Sequence, residues 1–167
     1  MQLGIALVLL ALAVRSVGLV MRPLWLDEAY SAWFSGQSWR YLWFVAPTFE
    51  THPPFYYSLL KLWRGAFGDD ALALRSLSVV FGSMSVPVII AAALEHERLS
   101  PSGRPLLRAG TAGFLATCSP VLILLGQEAR PYPLLVFGFA VATLGLLRLM
   151  REFDNGKPGK WSSWVLV

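Results

Sequence analysis

The chain has 167 residues, is 56% hydrophobic and carries a net charge of +4, with a mean hydropathy of +0.56. That apolar content excludes an ordinary soluble domain of this length and points to a polytopic membrane protein. Basic residues in such a protein record topology, so the positive balance argues for no nucleic-acid partner. Cys118, the single cysteine, lies in an apolar run, which excludes an intrachain disulfide and suggests no thiol chemistry.

Residues 3–20 are nearly continuous in Leu, Ala and Val, broken by Arg15 and Ser16, and are expected to form a first span. A cleaved signal peptide is the rival reading, disfavoured by the lack of a basic segment before the apolar core. Residues 22–70 then form a long outer loop. Two stretches in it have helical pattern. In Asp27 to Gln37, Tyr30, Trp33 and Phe34 share a face, and Gly36 marks the end. The other starts at Pro53-Pro54, where proline suits a first turn, and runs to Gly68 with Tyr56, Leu59, Leu60, Trp63 and Phe67 on one side. With Trp25, Trp33, Trp39, Trp43 and Trp63 all in this loop, both segments are expected to lie along the membrane interface.

Further spans are expected at residues 72–94, 106–126 and 131–150, and Trp161 to Val167 reads as the opening of a fifth. Arg98, Arg104 and Arg108 form one dense basic cluster; Arg148, Arg151, Lys157 and Lys160 form another. Both read as cytoplasmic, which turns the 22–70 loop and the Gln127 to Arg130 turn outward. The predicted fold class is therefore all-α: a polytopic transmembrane helix bundle of four spans plus the start of a fifth, in an inner or plasma membrane. Its active face would be periplasmic or extracellular.

That topology brings Asp27, Glu28, Glu50, His52, Arg75, Glu128 and Arg130 to one aqueous surface. Each has a plain structural reading. Asp27 would cap a helix through the amides of Ala29 or Tyr30, and Glu28 would favour the helix dipole. Glu50 would be a solvated loop acid, His52 a turn residue, and Arg75 a snorkelling cation; Glu128 and Arg130 would balance each other. Taken together they suggest a site for a phosphate-bearing lipid, since Arg forks suit phosphate oxygens and a carboxylate at the membrane edge can deprotonate a hydroxyl. Glu50 with His52, or Asp27 with Glu128, could hold a divalent metal, although neither spacing matches a strong ligand motif. The sequence holds no Gly-rich phosphate loop, no Ser/His/Asp nucleophile set and no CxxC pair.

Asp27-Glu28 after the first span, His52-Pro53-Pro54-Phe55-Tyr56-Tyr57, Arg75-Ser76-Leu77-Ser78, and Gln127-Glu128-Ala129-Arg130-Pro131-Tyr132 occur in an order that resembles one family. It is the GT-C membrane glycosyltransferases, in particular the dolichyl-phosphate-mannose-protein mannosyltransferase and aminoarabinose transferase-like group. The resemblance implies that residues 1–167 are the amino-terminal part of one transmembrane glycosyltransferase domain, with further spans beyond it and no activity expected of the chain alone. It implies transfer of a hexose or pentose from a polyprenyl-phosphate-linked donor to a protein, lipid or glycan acceptor. Asp27 and Glu28 would then be catalytic, and His52, Arg75, Glu128, Arg130 and Tyr132 would bind substrate. A divalent metal, with Glu50 and His52 as candidate ligands, stays open. The competing expectation is a non-catalytic transporter half or assembly subunit. Acids clustered at one end of nearly charge-free spans favour the enzyme over a transporter, which places charge near the midplane.

Overall fold

The computed structural model describes residues 2–156, and every regular element among them is a helix. Helix α1 covers Gln2–Ser16 and α2 covers Leu26–Gly36. A π turn at Tyr41–Val45 and a 3-10 turn at Ala46–Thr48 lead to α3 at Pro54–Phe67. Then come α4 at Ala71–Leu99, α5 at Pro105–Cys118, α6 at Pro120–Gly126 and α7 at Tyr132–Asp154. Both helices expected in the outer loop are present, within about a residue of their sequence-derived limits. The expected start of a fifth span, with Lys157 and Lys160, lies outside the described residues.

Two helices, α4 and α7, are long and apolar enough to cross a membrane. They mark the chain as a membrane protein. The other two expected spans differ from their sequence outlines. Helix α1 stops at Ser16, and its 15 residues reach about 22 Å against a hydrocarbon layer of about 30 Å. Gly18, at φ +77, turns the chain there in a conformation that suits glycine, and Met21 N–H closes the turn on its carbonyl. The 106–126 stretch is two helices, α5 and α6, bent by 54° at Ser119. Pro120 explains the break, because it cannot donate to Ala116 O and disfavours helical backbone at Ser119.

Arg15 meets the groups that this break leaves unpaired. It is almost fully buried, and its Nη2 donates to Ala116 O at 2.9 Å while Nη1 reaches Thr117 O at 3.4 Å. A buried cation thus sits on the carbonyl end of α5, where the helix dipole favours positive charge. Gly82 and Gly126 let two backbones close on its side chain: a Cβ added at either would come within about 3.1 Å of Arg15 atoms.

Helix α4 is the central post, contacting α1, α3, α5, α6 and α7. Ser78 of α4 bonds Arg130 O just before α7, and Glu95 of α4 pairs with Arg151 near the end of α7. The two long helices therefore run parallel, and α5 with α6 returns along the bundle between them. Helix α1 runs with that return path. Thr117 lies on Leu7 O, and Gln127 donates to Val14 O and Val17 O. An inner core of Leu7, Ala11, Val86 and Ala116 joins α1, α4 and α5.

A second core packs α2, the π turn and α3 onto the starts of α4 and α7, through Phe34, Leu42, Tyr56, Tyr57, Leu60, Leu74 and Leu77. Polar ties secure it. Arg64 of α3 donates to Ala32 O at 2.6 Å and Ser35 Oγ at 2.9 Å, again placing a cation at a helix carboxyl end. Trp63 Nε1 bonds Ser76 Oγ at 2.9 Å, and Asp70 caps α4 by accepting from Ala73 N–H at 2.7 Å. This cap gathers the chemistry at one end of the bundle.

Candidate functional site

The adjacent acids Asp27 and Glu28 turn to different surroundings. Successive residues of a helix lie about 100° apart, so the first turn of α2 sends one inward and leaves the other facing a cleft. Glu28 goes in and has no solvent exposure. Its carboxylate takes Arg75 in a two-pronged pair, Nε to Oε1 at 2.7 Å and Nη2 to Oε2 at 2.6 Å. It also accepts the Ala129 N–H at 2.9 Å and the Trp25 N–H at 3.3 Å. Arg75 spends its remaining donors on the carbonyls of Leu19, Arg22 and Pro23. All five N–H groups of this guanidinium are engaged.

That saturation alters two expectations. Arg75 has no donor left for a phosphate, so it belongs to the frame that joins α2, α4, the post-α1 turn and the α6–α7 turn. Glu28 is more than a complement to the helix dipole; it is the hub of the same frame. Burial alone would raise the Glu28 carboxyl, but the Arg75, Ala129 and Trp25 hydrogen bonds outweigh it and hold the group below its usual value of 4.5. A lowered folded value means that the stabilisation is present above about pH 4.5 and is lost as pH falls through the folded value. Thermal unfolding from about pH 6 to about pH 3 should therefore show a falling midpoint, and Glu28→Gln should give a shallower slope.

Asp27 does not cap its helix, since α2 begins at Leu26 with no side-chain cap. Its carboxylate instead meets Arg130 Nη1 at 2.5 Å. Arg130 is held between two aromatic rings, with its guanidinium carbon 4.7 Å from the centre of Tyr132 and 5.4 Å from that of Trp25. Unlike Arg75, it makes no further side-chain hydrogen bond among the described residues. Its other N–H groups are free for a ligand. The expected Glu128–Arg130 balance is not formed; Arg130 pairs with Asp27.

Asp27 and Arg130 line a cleft of about 240 Å³ with Tyr30, Glu50, His52 and Tyr57. Glu50 and His52 bond each other, Nδ1 to Oε1 at 2.7 Å, with His52 N–H on the same oxygen at 3.0 Å. Burial would raise the Glu50 carboxyl, but the His52 contacts hold it below its usual value. The Tyr57 phenol is pushed up by burial and by Glu50, which keeps it protonated. As metal ligands, Glu50 and His52 make a set of two, and no group of three or more His, Cys, Asp or Glu is placed to hold a metal among the described residues. The alternative metal pair, Asp27 with Glu128, is divided between separate cavities.

The cleft adjoins an apolar groove, with which it shares two wall residues, His52 and Pro131. The groove, about 500 Å³, runs between the start of α3 and the first half of α7, past Phe55, Tyr132, Leu135, Phe139 and Ala142. Tyr132 lines the groove and its ring packs on Arg130 of the cleft. Glu128 lies elsewhere. It faces a third cavity with Arg22 and Trp25, on the other side of the Glu28–Arg75 frame.

No protein-family model, curated protein or solved structure matches the chain. The site is therefore read from its own geometry. Sequence reasoning overlooked Tyr57, whose signal was its place in the His52-Pro53-Pro54-Phe55-Tyr56-Tyr57 run. It also overlooked Arg22, which carried no signal beyond its nearness to the first span.

Proposed function

We propose that the chain is the amino-terminal part of a membrane glycosyltransferase of the GT-C type, taking its sugar from a polyprenyl-phosphate donor. The observation that carries this reading is the polar cleft of Asp27, Arg130, Glu50 and His52 lying against an apolar groove along α7, with His52 and Pro131 as common walls. A phosphate at Arg130 would leave its isoprenoid chain in the groove, within the hydrocarbon layer. Tyr132, which lines the groove, would pack against the first isoprene unit. A hydrophobic groove beside a single phosphate-ready Arg suits a lipid phosphate better than a water-soluble nucleotide sugar.

In this mechanism the bond between the sugar anomeric carbon and the donor phosphate oxygen breaks. The leaving polyprenyl phosphate is stabilised by the free donors of Arg130. The acceptor oxygen attacks the anomeric carbon, and Asp27 takes its proton. The Asp27–Arg130 pair is an economical resting state, because a phosphate that engages Arg130 loosens Asp27 for its role as base. Glu50 and His52 line the same cleft and would orient the sugar hydroxyls; a metal bound by these two would add charge there.

The reading includes four spans, with α1 and its following turn as the first and α5 plus α6 as a bent third. The parallel course of α4 and α7 supports it, since the connecting stretch has to return the height of the bundle. In a Cys118→Ser background, a thiol label applied outside intact cells should reach Arg40→Cys and fail to reach Ser100→Cys. Labelling of Ser100→Cys from outside would reverse the topology.

Binding tests the function itself. The purified chain should retain a short polyprenyl phosphate over the matching polyprenol, and Arg130→Ala should weaken retention by about tenfold or more. Equal retention of phosphate and alcohol would remove the phosphate site. The competing reading, a transporter half or assembly subunit, gains nothing from Arg15, whose Nη1 and Nη2 donate to carbonyls rather than to a carboxylate relay.

A further inference from the structure

The cavity across the frame from the Asp27 cleft holds about 250 Å³ and is walled by the turn after α1, the first turn of α2 and the α6–α7 turn. Two of its lining residues are fully used: Glu28 and Arg75 satisfy each other. Two others carry opposite charges and form no hydrogen bond or ion pair through their side chains among the described residues. Glu128 is half-buried, and its carboxylate has no hydrogen bond or ion pair among the described residues. Arg22 is exposed, and its guanidinium likewise has none. Although both line one cavity, they do not come within the 4.0 Å of an ion pair. Trp25 completes the wall with a half-exposed indole whose N–H makes no hydrogen bond among the described residues. Gln127 commits both amide N–H groups to Val14 O and Val17 O, which leaves its carbonyl oxygen to accept.

A half-buried carboxylate without a donor is costly unless something supplies one. Glu128 shows the strain: burial first, and the Glu28 charge second, push its carboxyl above the usual value, and the arginines Arg130, Arg22 and Arg75 only partly offset this. A ligand carrying an ammonium and an anion on a short linker would answer both unmet charges at once. The cavity lies at the same end of α4 and α7 as α2 and α3, the end that the aromatic-rich 22–70 segment would place at the lipid headgroups. We infer that this cavity binds a compact zwitterion of the phosphoethanolamine kind, its primary ammonium on Glu128 and its phosphate on Arg22, beside Trp25. The ammonium must bear hydrogens, because Glu128 and the Gln127 carbonyl act as acceptors; a quaternary ammonium would leave both unmet. The site is independent of the glycosyl-transfer reading and stands or falls without it.

Native mass spectrometry of the full chain in mild detergent tests it with three lipids of matched tails. Phosphatidylethanolamine should be retained about tenfold more than phosphatidylcholine, which lacks N–H donors, and than phosphatidylglycerol, which lacks the cation. Glu128→Gln should lower phosphatidylethanolamine to the phosphatidylcholine level, and Arg22→Gln should weaken retention of phosphatidylethanolamine and phosphatidylglycerol alike. Soluble phosphoethanolamine, added as competitor, distinguishes the sources: displacement assigns the free zwitterion as sufficient, and no displacement assigns the lipid. Equal retention of the three lipids by the unaltered chain overturns the inference, whether or not the variants fold. So does a preference for phosphatidylethanolamine that survives Glu128→Gln.

Discussion

Glu28→Ala is expected to destabilise the protein by about 3–5 kcal/mol, the scale for removing one partner of a buried ion pair. The expectation follows from what would be stranded. Arg75 is buried, and loss of Glu28 leaves its charge with only three carbonyls. The Ala129 and Trp25 N–H groups lose their acceptor as well. Glu28→Gln keeps part of the hydrogen bonding and should cost less, but well above the 0.3–1 kcal/mol typical of a helix-dipole acid. The paired change Glu28→Gln with Arg75→Met removes both charges and should recover part of the loss. Thermal unfolding in detergent checks the series. If Glu28→Ala shifts the midpoint no more than an exposed acid does, the frame is not a source of stability.

Asp27→Asn should have the opposite profile: a protein as stable as the parent that has lost most of its turnover. Asn preserves the shape and can still accept from Arg130, so the resting contact survives in neutral form. It cannot take a proton from an acceptor hydroxyl, and loss of general-base catalysis costs roughly 10²–10⁴-fold in rate. Since Asp27 caps nothing, a structural role predicts no large loss at all. On the proposed glycosyl-transfer function, the measurement is transfer from a polyprenyl-phosphate sugar by the protein in its native membrane. Binding of the polyprenyl phosphate should persist in Asp27→Asn and fail in Arg130→Ala, which separates base from phosphate contact. Near-parental turnover in Asp27→Asn would remove Asp27 from the chemistry.

These two predictions concern neighbouring residues with the same functional group, and the chain order offers no means of telling them apart. Helical phase says only that Asp27 and Glu28 point in directions about 100° apart. Which of them is buried depends on Arg75, 47 residues away, and on the Ala129 amide, 101 residues away. Arg75 and Arg130 pose the same problem. Both arginines open a long helix at the same end of the bundle, yet one has every donor satisfied and the other has donors to spare. The difference lies in the turn after α1, whose carbonyls reach Arg75 and not Arg130.

Local features were legible wherever a local cause produces them. Apolar length and composition determine the membrane character, and aromatic periodicity with Pro54 and Gly36 outlines α2 and α3. The bend at Ser119 had its signal in Pro120, although an unbroken apolar run hid it. What the sequence by itself determined is thus α2, α3 and the two long apolar helices α4 and α7, with the ends at which most charged residues fall. Only the tertiary structure decided how those charges divide into a buried frame, a cleft beside an apolar groove, and a cavity with two charges that pair with nothing among the described residues. The reason is physical. A helix follows from contacts three and four residues apart, whereas the state of an ionisable group follows from burial and partners that the chain brings together from distant turns.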